Sequence, residues 1–89
     1  MKCGNHPKKF KLAGMDWVTV ESETDALGFT DPDTCRIVVN KKLEGQLKDV
    51  TIYHELVHAI MFTMGERSHD ERFVEGFAQL LYQYEQQRV

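Results

Sequence analysis

The sequence predicts an α+β fold: a small antiparallel or mixed sheet of about three strands packed on a two-helix hairpin. Three observations lead there. Short β-prone runs separated by turn residues fill the chain before Lys41. At about Leu47 the apolar period changes from two to 3.6. Two helical patterns then follow, with only a short connector around Gly65 between them.

Residues 1–9 contain Gly4 and Pro7 and read as a loose lead-in. Residues 10–13 and 17–20 are β-prone runs on either side of Gly14, a hairpin or a bent strand. Residues 21–26 are polar and carry a turn. Residues 28–34 hold Gly28, Asp31-Pro32 and Asp33-Thr34, which together signal a turn. Residues 35–40 read as a strand because Ile37, Val38 and Val39 are β-branched. Residues 41–46 connect it to the first helix. There Val50, Tyr53, Val57, Ile60, Met61 and Met64 form an apolar stripe, and Gly65 is a natural C-cap. The second helix starts with Ser68 as N-cap and Glu71 three residues later, the pattern of a capping box. Phe73, Val74, Phe77, Leu80, Leu81 and Tyr84 are its expected buried face, and residues 85–89 are a polar tail that frays.

A chain of 89 residues fits one domain, 1–89. Domains this small bury only roughly 60–65% of their unfolded surface, so a bound metal is a useful source of stability. The net charge of −3 gives no electrostatic basis for nucleic-acid binding. Lys2, Lys8, Lys9 and Lys11 read as a solvated basic face. No apolar run approaches the ~18 residues of a membrane helix, and residues 1–12 lack the apolar segment of a signal peptide. Cys3 and Cys35 make no disulfide framework, so a cytoplasmic location is expected. Cys3-Gly4-Asn5-His6 resembles half of a zinc site, but no second Cys/His pair of suitable spacing follows.

The chemistry concentrates in His54-Glu55-Leu56-Val57-His58. Side chains at i and i+4 of a helix lie roughly 6 Å apart on one face, which suits two imidazoles converging on one metal. Glu55 is rotated about 100° from His54 and so sits beside the metal as a base, not a ligand. The flanking Thr51, Ile52, Ala59 and Ile60 are uncharged, as a packed helix requires. A catalytic zinc usually takes three protein ligands. A third histidine in the metzincin spacing is excluded, because Met64 and Met61 stand where that pattern needs His and Gly. Two acids one turn apart remain on the second helix, Glu71 and Glu75. Glu71 has a competing task in the capping box. Glu75 has apolar neighbours on both sides, and a carboxylate buried there requires a partner.

With Val74-Glu75-Gly76-Phe77-Ala78, the His-Glu-x-x-His run resembles the gluzincin metallopeptidases. In the zinc aminopeptidases of that group an Asn-Glu-Gly-Phe-Ala run carries the third zinc ligand. Here Val74 replaces the Asn, and the gap from His58 to Glu75 is slightly shorter than usual. The chain is also similar to minimal gluzincin-type domains of small phage and bacterial proteins. Glu71-Arg72-Phe73-Val74-Glu75-Gly76-Phe77-Ala78 also partly matches the Glu-x-x-Ala-x-x-Phe-Ala pattern of regulator-cleaving peptidases, which keeps Glu71 as the alternative ligand. The resemblance covers about residues 35–82.

It implies a zinc metallopeptidase that hydrolyses peptide bonds, with Zn2+ on His54, His58 and Glu75, and Glu55 activating water. His69, Tyr82 and Tyr84 are the candidate oxyanion donors, and Tyr53 is expected in the core. Residues 35–40 would form the cleft edge for an extended peptide. The shallow cleft of so short a chain leaves an oligomer or a partner protein to complete it. The alternative is a non-catalytic zinc-stabilised domain that binds a protein partner.

Overall fold

The computed structural model describes residues 8–88. Cys3-Gly4-Asn5-His6 and Lys2 lie outside them. The fold is α+β, with four strands where about three were expected: β1 (Lys9–Leu12), β2 (Met15–Ser22), β3 (Gly28–Asp31), β4 (Arg36–Asn40), then α1 (Gly45–Thr63) and α2 (Glu71–Gln87). The sheet is mixed, in the order β1-β2-β4-β3. β1 and β2 form an antiparallel hairpin turned at Ala13-Gly14, both of which have positive φ. Lys9 already belongs to β1, so the lead-in is shorter than residues 1–9.

β4 inserts between β2, its parallel neighbour, and β3, its antiparallel neighbour. The turn expected over residues 28–34 is thus half strand. Gly28–Asp31 pairs with Arg36–Val39, and only the Asp-Pro-Asp-Thr part turns. Asp31 closes that turn by accepting from the Asp33 amide (3.1 Å) and the Thr34 hydroxyl (2.8 Å). β4 is consequently an interior strand. The edge that faces the helices is β3, not the strand over residues 35–40.

Two apolar clusters hold the layers together. Trp17, Ile37 and Val39 of the sheet pack on Ile52 and Ala59 of α1. On its other side α1 presents Tyr53 and Val57 to Val74, Ala78 and Tyr82 of α2, with the two tyrosine rings edge-to-face at 6.0 Å. α1 is covered on two sides, so its burial extends beyond the single stripe read from the sequence. Met64, at the end of that stripe, is 73% exposed.

α1 ends as a Schellman motif. Met64 is the C-cap, Gly65 takes φ +91, the Gly65 amide donates to Phe62 O, and the Glu66 amide donates to Met61 O. The N-cap of α2 is Asp70, not Ser68. Its side chain accepts from the Arg72 amide at 2.9 Å. Glu71 is therefore the first residue of the helix, and its carboxylate is released from the expected capping box. The buried face of α2 is Val74, Ala78 and Tyr82; Phe73, Phe77, Leu80 and Tyr84 are exposed. No helix among the described residues is long and apolar enough to cross a membrane.

Candidate metal centre

The middle of α1, the first turn of α2 and strand β3 meet at one point. His54 and His58 project from successive turns of α1, with ring centroids 5.1 Å apart. Glu71 reaches both: Oε1 lies 3.3 Å from His54 Nε2, and Oε2 lies 3.2 Å from His58 Nε2. One ligand atom from each of these three residues lies within 4.8 Å of the others. For bonds of about 2.0–2.1 Å to a tetrahedral zinc, two donors stand about 3.4 Å apart. Each Glu71 contact has about that length, but the two use different carboxylate oxygens.

The other ring nitrogens fix the proton positions. His54 Nδ1 lies 2.8 Å from Glu75 Oε1. An ionised carboxylate only accepts, so His54 Nδ1–H donates and Nε2 carries the lone pair. His69 Nε2 lies 2.7 Å from the Glu66 carbonyl oxygen, to which it must donate. In neutral His69, Nδ1 is then an acceptor. His58 Nδ1 lies 2.6 Å from it and donates. His58 Nε2 therefore also presents a lone pair. With both rings neutral in these tautomers, the Nε2 lone pairs of His54 and His58 face the Glu71 carboxylate. Two imidazole nitrogens and a carboxylate oxygen are a donor set that fits a divalent metal.

Glu75, the third ligand expected from the resemblance, thus lies on the far nitrogen of His54 and is outside this cluster. Gln79 donates to its other oxygen at 2.8 Å, and the two hydrogen bonds, from Gln79 and then His54, hold its carboxyl below the usual pKa. Glu71, the alternative, is the acid that closes the cluster. The capping pattern obscured this in the sequence, because Ser68 and Asp70 are both good N-caps and the choice between them moves Glu71.

Glu55 is 7% exposed beside the two histidines. Burial raises its pKa, against the opposing effect of the hydrogen bond from Thr30. The Thr30 hydroxyl lies 2.8 Å from Glu55 Oε1 and 2.9 Å from the Glu55 carbonyl oxygen. Thr30 lay within the expected turn and was not anticipated as part of the site. No motif marks it.

Of the three expected oxyanion donors, His69 lines the cleft, but both of its ring nitrogens are engaged. Tyr82 is buried against Tyr53 in the helix–helix core, and Tyr84 is 62% exposed. Neither tyrosine lines the cleft. Compared with protein-family models, curated proteins and solved structures, the chain matches none of them.

Proposed function

We propose that this protein is a zinc-dependent metallopeptidase whose metal is held by His54, His58 and Glu71. The observation that carries the proposal is the convergence of two histidine Nε2 atoms and one carboxylate, each histidine having a hydrogen-bond partner on its other nitrogen. His54, His58 and Glu71 would hold the zinc, which when bound would supply a Lewis acid to polarise a carbonyl and acidify water.

The residues of the chain do the rest. Thr30 holds Glu55 Oε1, which leaves Oε2 to accept a proton from water. Glu55, beside the two histidines, is the base that takes this proton and returns it to a leaving amine. Glu75 and His69 orient the two histidines. Glu71 is the exposed member of the set, with 68% of its side-chain surface accessible, so the site opens to solvent on the α2 side. β3 borders the same opening as an edge strand, where an extended peptide adds by main-chain pairing.

The decisive experiment has two stages. Protein purified without added zinc should carry one metal per chain, and His58→Ala should carry none. Glu55→Gln should then keep metal and fold but lose peptide hydrolysis. Metal-free wild type would end the proposal at the first stage.

A second reading, a zinc-stabilised domain that binds a protein partner, is favoured by the exposed stripe Phe73, Phe77, Leu80 and Tyr84 on α2. Under it the metal stays and Glu55→Gln changes nothing.

A further inference from the structure

The cleft has two unlike halves that share Gly28, His54 and Glu55. One is a cavity of about 290 Å³, walled by Leu27, Leu47 and Val50. Leu27 and Leu47 are about half exposed, 53% and 51%, so apolar surface stands open beside the candidate metal centre. The other half is a cavity of about 470 Å³, lined by Phe29, Phe62 and Arg67 around the histidines.

Arg67 is the one lysine or arginine lining either half, and it makes no ion pair among the described residues. The three carboxylates at the cleft are already engaged: Glu55 by Thr30, Glu71 by the two histidines, and Glu75 by His54 and Gln79. A divalent cation offsets the charges of Glu55 and Glu71. Within the half that Arg67 lines, its positive charge then has no further carboxylate to offset it; Glu75, the third carboxylate, lines the other half.

We infer that the cleft selects peptides by charge and polarity, with an acidic side chain of the peptide at Arg67 and an apolar side chain against Leu27, Leu47 and Val50. The inference rests on the metallopeptidase reading for its biological meaning but not for its test. A guanidinium pairs a carboxylate through two parallel N–H donors, while a lysine or arginine of the peptide is repelled there. The chain passes from the apolar half at Leu27, just before β3, to the polar half at Phe29 and Thr30 within it. A peptide added antiparallel to β3 places its acid on the N-terminal side, and one added parallel places it on the C-terminal side.

The test uses four probes: acetyl-Glu-Ala-Ala-Leu-amide, acetyl-Leu-Ala-Ala-Glu-amide, and the same two peptides with Gln in place of Glu. Binding is read by backbone-amide NMR titration on zinc-loaded and on metal-free protein. In one order the Glu peptide should bind roughly five- to tenfold tighter than its Gln counterpart, the scale of one charge-assisted contact at a partly solvated site. Arg67→Gln should erase that difference, Arg67→Glu should reverse it, and Leu47→Ser should weaken Glu and Gln peptides equally. Equal binding of Glu and Gln peptides in both orders, a preference that survives Arg67→Gln, or no detectable binding of any probe would each overturn the inference. Hydrolysis is assayed separately. A charge preference without cleavage would count against the catalytic reading alone, and cleavage without a charge preference against this inference alone.

Discussion

The Thr30 hydroxyl sits 2.8 Å from Glu55 Oε1 and 2.9 Å from the Glu55 carbonyl oxygen, so one proton from β3 serves both the side chain and the backbone of the same helical residue. A buried acceptor left without its donor costs about 1–3 kcal/mol. Thr30→Val should therefore lower stability by that amount, and Thr30→Ser, which keeps the hydroxyl, by much less. Urea denaturation of the two variants checks this. Equal loss in both would show that the methyl group, not the hydroxyl, does the holding.

Zinc affinity separates the roles of the two acids on α2. Glu71→Gln removes a ligand and should weaken binding by more than about 100-fold. Glu75→Gln removes only the acceptor for His54 Nδ1 and should cost roughly 10- to 100-fold, the range typical of groups that orient a ligand. Competition against a chromophoric chelator measures both. The reverse order would make Glu75 the third ligand.

His69 is tested in the same assay. Its ring stacks on His58, with centroids 4.9 Å apart, and also meets Phe62, at 4.4 Å. His69→Phe keeps a ring in that place but removes the acceptor for His58 Nδ1. Zinc affinity should fall about tenfold or more while the metal-free protein melts close to wild type. Unchanged affinity would leave His69 with packing alone.

Gly28 is where β3 presses on α1. A Cβ there would stand 2.7 Å from Val38 O and 3.2 Å from Thr51 Cγ2. The nearer atom belongs to the backbone of the paired strand and cannot step aside cheaply. Gly28→Ala should cost about 1–3 kcal/mol, as overpacking does. Because Gly28 also lies 3.5 Å, through its added Cβ, from Glu55 Cγ, the substitution should disturb Glu55 amide shifts in NMR spectra. A neutral thermal melt would mean that β3 lifts freely from the helix.

What was readable in the sequence follows from which interactions are local. The two histidines were placed by helical spacing alone, since Val50, Tyr53 and Val57 mark the period around them. β3 was hidden because its pairing with β4 is a tertiary fact, while its composition, opening on Gly28 and ending on Asp31 before Pro32, signals a turn. α2 carries two sets of apolar residues at three–four spacing. Val74, Ala78 and Tyr82 face the core, and Phe73, Phe77, Leu80 and Tyr84 face out. Periodicity cannot choose between them, and only packing against Tyr53 and Val57 does. The third acid was obscured for the same kind of reason: a shift of the cap by two residues, from Ser68 to Asp70, decides where Glu71 points.

The buried carboxylate of Glu55 makes the stability of the metal-free protein depend on pH. Its folded pKa lies above the ordinary 4.5, first because burial disfavours the charge. The folded state then holds this proton more tightly than the unfolded chain. Stability falls as pH rises from about 4.5 through the folded pKa and stays lower above it. Glu55→Gln removes the charge but keeps an oxygen for the Thr30 hydroxyl. At pH 7 the metal-free variant should be more stable than wild type and melt at a higher temperature. Below pH 4.5 the two should melt together, because wild-type Glu55 is then neutral as well. Paired thermal melts across this range, in the presence of a chelator, measure the difference directly. A variant less stable than wild type at pH 7 would mean that the neighbouring groups hold the ionised carboxylate more strongly than burial opposes it.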